Sequence, residues 1–237
     1  MTDPLLALID ATWPAAQTVT AGGFRLRIGQ GGGSRVSSAT LDLPLDQADI
    51  DAAIACHRAH HQTPLFMIRT PEDALDAALA ARGFALQDPT VEYRAPLETL
   101  AGDIPPVTAF AHWPPLAIAT DLWAENGIGP ERQAIMARAA GPKTCILGRS
   151  QDRAAGVAFV AIHDRTAMLH ALVIADRMRR QGLARHMLRE ASRWALAQGA
   201  HDLSLVVRTD NAPAVALYQA LGMTRGRQYH YRIEVPA

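Results

Sequence analysis

A chain of 237 residues and 25.5 kDa, 49% hydrophobic and 19% charged, carries enough apolar material to bury a core and is not disordered. Its 23 Lys and Arg balance 23 Asp and Glu, which argues against nucleic acid or an anionic membrane as partner, since both reward an excess of basic charge. Cys56 and Cys145 form no disulfide framework, Met1-Thr2-Asp3-Pro4 lacks the basic start of a secretion signal, and no apolar run reaches the roughly 18 residues of a membrane-spanning helix, so a cytoplasmic protein is expected.

Taken in order, residues 23–28 and 35–43 read as a strand pair interrupted by the flexible turn Gly31-Gly32-Gly33-Ser34. Residues 49–61 read as a helix opened by acidic side chains, with an apolar stripe through Ile50, Ala53, Ile54 and His57. His57, His60 and His61 fall on adjacent turns. No Cys or carboxylate completes a metal-ligand set with them, and a solvated helix end suits them better. A short strand at 65–69 and an alanine-rich helix at 71–82 follow, the helix with Pro71 in its first turn and Gly83 past its end. A Pro-rich passage over 96–106 and 112–115 reads as a linker dividing a first lobe, 1–105, from a second, 106–237. The second lobe then reads as helices at 120–125 and 130–140, strands at 144–149, 155–163 and 167–174, and a strongly amphipathic helix at 182–198. A strand at 203–208, a helix at 211–221 and a closing strand at 227–235 complete it. Strands first meander and then alternate with helices, which predicts an α/β fold with a mixed sheet flanked by helices.

Residues 65–84 align without a gap to residues 204–223: Arg69-Thr70 meets Arg208-Thr209, and Gly83 meets Gly222. The helix at 49–61 falls opposite the second half of 182–198 at the same offset, so the fold is expected to be duplicated in tandem. The first copy lacks chemistry. Leu79 stands opposite Tyr218, Glu72 opposite Asn211 and Leu43 opposite Gly182.

The stretch Leu172-Val173-Ile174-Ala175-Asp176-Arg177-Met178-Arg179-Arg180-Gln181-Gly182-Leu183-Ala184-Arg185 ends a strand, makes a basic turn and opens a long helix. Unpaired N–H groups and the positive dipole end make such a helix start an anion site, and Gly182 admits a ligand close to the backbone. Arg179-Arg180-Gln181-Gly182-Leu183-Ala184 resembles the Arg/Gln-x-x-Gly-x-Gly/Ala signature of the GNAT superfamily of acyl-CoA N-acyltransferases. The run from Asn211 through Ala214, Leu217-Tyr218 and Gly222-Met223 is similar to that family's second signature, Asn-x-x-Ala-x-x-Leu-Tyr-x-x-x-Gly-Phe, with Met223 in place of Phe. The resemblance covers about half the chain and is nearest to ribosomal-protein N-terminal acetyltransferases.

The resemblance implies an N-acetyltransferase that carries acetyl from acetyl-CoA, without a metal, to a primary amine on a small molecule or peptide. By the same resemblance, the main chain of Leu172, Val173 and Ile174 would pair with the pantetheine arm and offer an N–H to the thioester carbonyl. Arg179, Arg180, Gln181, Gly182, Leu183, Ala184 and Arg185 would surround the pyrophosphate, Asn211 would touch the cofactor arm, and Tyr218 would protonate the departing sulfur. Related N-terminal acetyltransferases carry a Glu where this chain has Val206. Two-residue alternation puts His170 on the face of Leu172 and Ile174, which makes it a candidate base, with Glu125 and Asp121 as weaker alternatives. A non-catalytic acyl-CoA-binding regulatory protein is the alternative class, and peptide N-terminus, lysine, amino acid, polyamine and aminoglycoside all stay open as acceptors.

Overall fold

A computed structural model describes residues 3–235, so the reading of Met1 and Thr2 falls outside the described residues. In chain order the elements are α1 (Pro4–Thr12), β1 (Gln17–Ala21), β2 (Phe24–Ile28), β3 (Ala39–Leu41), α2 (Ile50–Ala59), β4 (Leu65–Arg69) and α3 (Asp73–Ala81). Then come β5 (Ala85–Pro96), β6 (Ala109–His112), α4 (Ala117–Glu125), α5 (Pro130–Arg138), β7 (Lys143–Ser150), β8 (Arg153–His163) and β9 (Thr166–Ile174). The last are α6 (Leu183–Ala197), β10 (Asp202–Arg208), α7 (Ala212–Ala220) and β11 (Thr224–Ile233). Two compact units share this chain, and neither is contiguous: one takes residues 3–13, 92–207 and 211–226, the other residues 14–91, 208–210 and 227–235.

In the first unit the strands lie in the order β5-β10-β9-β8-β7-β6. β9 and β10 run parallel, with α6 as their crossover, while β6 through β9 pair antiparallel. α6 forms because Leu183, Met187, Leu188, Ala191 and Ala195 recur at helical spacing and bury one face against β7 and β8. α1 packs on β8 and β9 and buries Leu5, Leu6, Leu8 and Ile9. Asp3 opens it, accepting from the Leu5 N–H at 2.9 Å, with Pro4 in the first turn.

The second unit orders its strands β1-β2-β3-β4-β11, with β3 and β4 parallel through α2 and the other pairs antiparallel. Its core joins Phe24, Leu26, Ile50, Ile54, Phe66 and Leu79. Asp76 on α3 binds His230 and Arg232 of β11 at 2.7 Å each, and the Arg232 guanidinium holds its carboxyl down at about 2. Each unit therefore contains the order strand, helix, parallel strand, helix.

Several expectations need correction. α1, β1, β5 and β6 are elements that local patterning did not predict; β6 is bounded by prolines, and β5 is interrupted by Asp88 and Pro89. The strand expected at 35–43 is only β3, because Ser34–Val36 winds into a 3₁₀ turn. His57 is not on a solvated helix end: it is 0% exposed, its ring 5.9 Å from that of Phe66 and its Nδ1 3.4 Å from Gln62 Nε2. His57 completes the apolar stripe of α2, so its helical face outweighed its polarity.

Burial pushes the His57 imidazole from 6.5 down to about 4. The unfolded chain thus takes up a proton near pH 6.5 and the folded chain only near 4, so His57's contribution is complete above pH 6.5 and is lost as pH falls through about 4. The gap corresponds to about 3 kcal/mol. Urea titrations of wild type and His57→Leu should show that much less acid destabilisation between neutral pH and pH 4 in the variant, whatever its stability at neutral pH. Equal slopes would dismiss the buried neutral imidazole.

Candidate active site

The site begins where two parallel strands stop pairing. The β9–β10 register runs from Thr166↔Asp202 to Leu169↔Leu205, yet both strands continue, to Ile174 and Arg208. On its other side β9 bulges. His170 pairs with Phe159 and Val173 with Val157, so Ala171 and Leu172 together stand opposite Ala158 alone. Ala171 takes φ 52°, and its carbonyl accepts the indole N–H of Trp123, a 0% exposed residue of α4, at 2.9 Å. Because the peptide is planar and trans, the Leu172 N–H points away from Trp123. Leu172 pairs in register with neither β8 nor β10, and its backbone amide is held in one orientation.

The bulge also corrects a sequence expectation. The extra residue reverses the alternation, so His170 shares its face with Val173, and Leu172 and Ile174 lie on the opposite one. His170 is 2% exposed and faces α1. Its Nε2 lies 2.9 Å from Thr12 Oγ1, and its ring centroid lies 4.9 Å from that of Trp13. The Thr12 hydroxyl donates its one hydrogen to the Leu8 carbonyl at 2.6 Å, so His170 Nε2 must be the donor to Thr12.

Between β9 and α6 the chain makes a 3₁₀ turn, Asp176–Met178. Arg179 donates to the Ile174 carbonyl at 3.2 Å and pairs with Asp176 at 2.7 Å, which braces the strand end. Gln181 bridges the Arg177 carbonyl and Ser150 Oγ at 3.3 and 3.4 Å. Arg180 and Gly182 both take left-handed backbone, φ 61° and 84°. Gly182 is the N-cap of α6 and accepts from Arg185 N at 3.0 Å; the Leu183 and Ala184 N–H groups belong to the helix's first turn, ahead of its own bonding. No side chain caps this end. Arg180 and Gln181 are exposed, Ala184 and Arg185 half-buried. Gly148 and Gly156, directly opposed on β7 and β8, let α6 sit close, since a Cβ on either would lie within 2.8 Å of Met187 Sδ. Beside the turn, Arg149, Gln181, Leu183 and His186 line part of a pocket of about 340 Å³. The crossover helix between the parallel strands of the other unit starts differently. α2 starts at Asp49, whose carboxylate accepts from Ala52 N at 2.9 Å and fills the helix end with negative charge.

Tyr218 on α7 is 6% exposed, and its ring lies 5.7 Å from that of Tyr93 on β5. Burial pushes its hydroxyl up to about 12. Asn211, an exposed residue, caps α7, its Oδ1 accepting from Ala214 N at 3.3 Å. The structure thus brings the Leu172–Ile174 main chain and the start of α6 into succession along one strand-turn-helix, and places Tyr218 and Asn211 on the helix following β10. His170 lies across the strand from Leu172. Two further features gain meaning only from the tertiary structure: Trp123, the donor to the bulge, and Glu92 on β5, a 6% exposed carboxylate that accepts from Ser204 Oγ of β10 at 2.7 Å. Among the described residues no cluster of three His, Cys, Asp or Glu side chains gathers that suits a metal ion.

Residues 111–223 match the acetyltransferase (GNAT) family. Over 96% of both chains the protein is 24% identical to a Bacillus subtilis protein described as the uncharacterized N-acetyltransferase YobR. The fold is similar to a GCN5-related N-acetyltransferase from Kribbella flavida, with a TM-score of 0.67 at 16% identity over 98% of this chain and 95% of that one. It is also similar to a tandem GNAT protein from the clavulanic acid biosynthesis pathway, with a TM-score of 0.59 at 17% identity over 84% and 76% of the two chains. The α/β fold, a mixed sheet flanked by helices, is that of the GNAT acetyltransferases.

Proposed function

We infer, from a GNAT acetyltransferase domain at residues 111–223, that the protein transfers acetyl from acetyl-CoA directly to a primary amine. The observation that carries this reading is the uncapped, glycine-led start of α6, placed one turn after a strand whose pairing with β10 has ended. The free edge of β9 suits an extended amide-bearing arm, which would add as a strand does. The N–H groups of the α6 start suit a pyrophosphate, with Arg180 and Arg185 supplying charge and Arg179 and Gln181 holding the turn in shape. The Leu172 N–H would stabilise the charge that develops on the thioester oxygen. Tyr218 would give its proton to the sulfur as the carbon–sulfur bond breaks.

One acetyl-CoA per chain is proposed. The second unit repeats the order of elements but closes its helix start with Asp49, which repels phosphate, and has Leu79 where Tyr218 would align. It then serves as a degenerate lobe without a cofactor site. Calorimetric titration of the full chain with acetyl-CoA should saturate at a ratio of one. A ratio of two would overturn the degenerate lobe, and no binding at all would overturn the acyl-CoA reading. The acceptor follows from a screen of peptides, amino acids, polyamines and aminoglycosides by thiol detection of released CoA.

A further inference from the structure

We propose that Glu92 is the general base of the transfer, taking the proton that the acceptor amine must lose; this rests on the acetyltransferase reading above. An amine arrives at neutral pH as an ammonium ion and attacks only after losing a proton.

The strand register places the backbone of Glu92 beside the end of the β9–β10 pairing. Leu97 N donates to the His201 carbonyl at 2.8 Å, and Thr209 N donates to the Pro89 carbonyl at 2.8 Å, so β5 and β10 run antiparallel. Counting five residues back from Leu97 and five forward from His201 sets Glu92 directly opposite Val206. Counting three forward from Pro89 and three back from Thr209 gives the same pair, so no bulge intervenes. Val206 is the first residue of β10 beyond the end of its pairing with β9, and His170 is the first such residue of β9.

The faces agree as well. Ser204 pairs with Met168, which shares its face with His170, and Val206 and Glu92 follow on that same face, the one that meets α1. Tyr93, next to Glu92, points the other way and meets Tyr218. A proton acceptor and a proton donor thus stand on opposite faces of the strands, as required if the amine enters from one side and sulfur departs on the other. His170 shares the acceptor face, but its Nε2 is committed as a donor to Thr12. Glu92 is held in place by its neighbours: Ser204 donates to Oε1, and Oε2 lies against Gly226 of β11, where a Cβ would fall 2.5 Å from it.

The ammonium passes one proton to the Glu92 carboxylate, directly or through one water, and the nitrogen lone pair forms the carbon–nitrogen bond. The carbon–sulfur bond breaks with its electron pair going to sulfur, which takes the Tyr218 hydroxyl proton. Tyr218 recovers a proton from the nitrogen through solvent, and Glu92 releases its own to water. The products are the acetamide, CoA as the thiol and one proton.

Water attacking acetyl-CoA must also lose a proton, so thiol release from acetyl-CoA alone reads the base without knowledge of the acceptor. Glu92→Gln keeps an oxygen for Ser204 to bond while removing the base. Thiol release should fall on the order of 10²-fold, with acetyl-CoA affinity by calorimetry unchanged. Hydroxylamine, already neutral at pH 7, should restore thiol release in Glu92→Gln, and so should adding Val206→Glu, which returns a carboxylate to the facing position. Should Glu92→Gln fail to fold, Glu92→Asp decides, because it retains the charge but withdraws it by one methylene and should slow release about tenfold. Wild-type release rates in whichever variant folds would overturn Glu92 as base, as would a loss in Glu92→Gln that neither hydroxylamine nor Val206→Glu recovers. A wild type that binds no acetyl-CoA, or binds it without releasing thiol, overturns the acetyltransferase reading instead, and this inference with it.

Discussion

Gly182→Glu should abolish acetyl-CoA binding, by at least about 10²-fold or 2.7 kcal/mol, in a protein that still folds. Two properties of the position make the effect large and specific. The backbone is left-handed, φ 84°, so any side chain costs strain of about 1–2 kcal/mol. A Cβ built there nevertheless meets nothing within 4 Å, so no packing is lost. The empty space is what a phosphate needs in order to reach the N–H groups of the first helical turn. A glutamate would occupy it and add a negative charge beside the one that must bind. Calorimetry with acetyl-CoA, paired with circular dichroism, checks this result. Wild-type affinity in the folded variant would remove the start of α6 from the cofactor site.

Tyr218→Phe should lower turnover on the order of 10²-fold or more, the scale for losing a general acid, while acetyl-CoA affinity holds. The ring keeps its contact with Tyr93, and burial alone, with no hydrogen-bond partner, shifts the hydroxyl, so among the described residues deletion orphans no partner. A phenol pushed up to about 12 is fully protonated at neutral pH, although it is a reluctant donor to a thiolate in water. A departing thiolate that leaves water beside the buried Tyr218 would be desolvated as the phenol is, which strengthens it as a base. Thiol release from acetyl-CoA measures turnover, and equal losses of turnover and affinity would assign Tyr218 to packing.

What sequence reveals here follows the range of the interaction that fixes each feature. The strand ending at Ile174, the turn and α6 are legible because apolar periodicity, a clustered basic turn and one glycine occupy a single contiguous stretch. α1 carried a readable signal, Asp3-Pro4 before an apolar run, but nine residues leave little periodicity to read. β5 alternates poorly because both Glu92 and Tyr93 are buried, on opposite faces. The face of His170 depended on a single extra residue at Ala171, whose carbonyl is held by a tryptophan 48 positions away. Glu92 gained its place only from registration against a strand more than a hundred residues later. No local pattern encodes either one.

The division of the chain into two discontinuous units also sets an order of events during synthesis. β4 finds its antiparallel neighbour only in β11, which the ribosome makes after every helix of the other unit. Until then β4 is an open edge of backbone donors and acceptors, the kind of edge on which nascent chains pair with one another. α1 is made long before the strands it covers, β8 and β9, which appear about 150 residues later. N-terminal domains usually fold while the remainder is still being translated. Here an unfinished sheet and an uncovered apolar helix must instead persist until β11 and β9 respectively have been made.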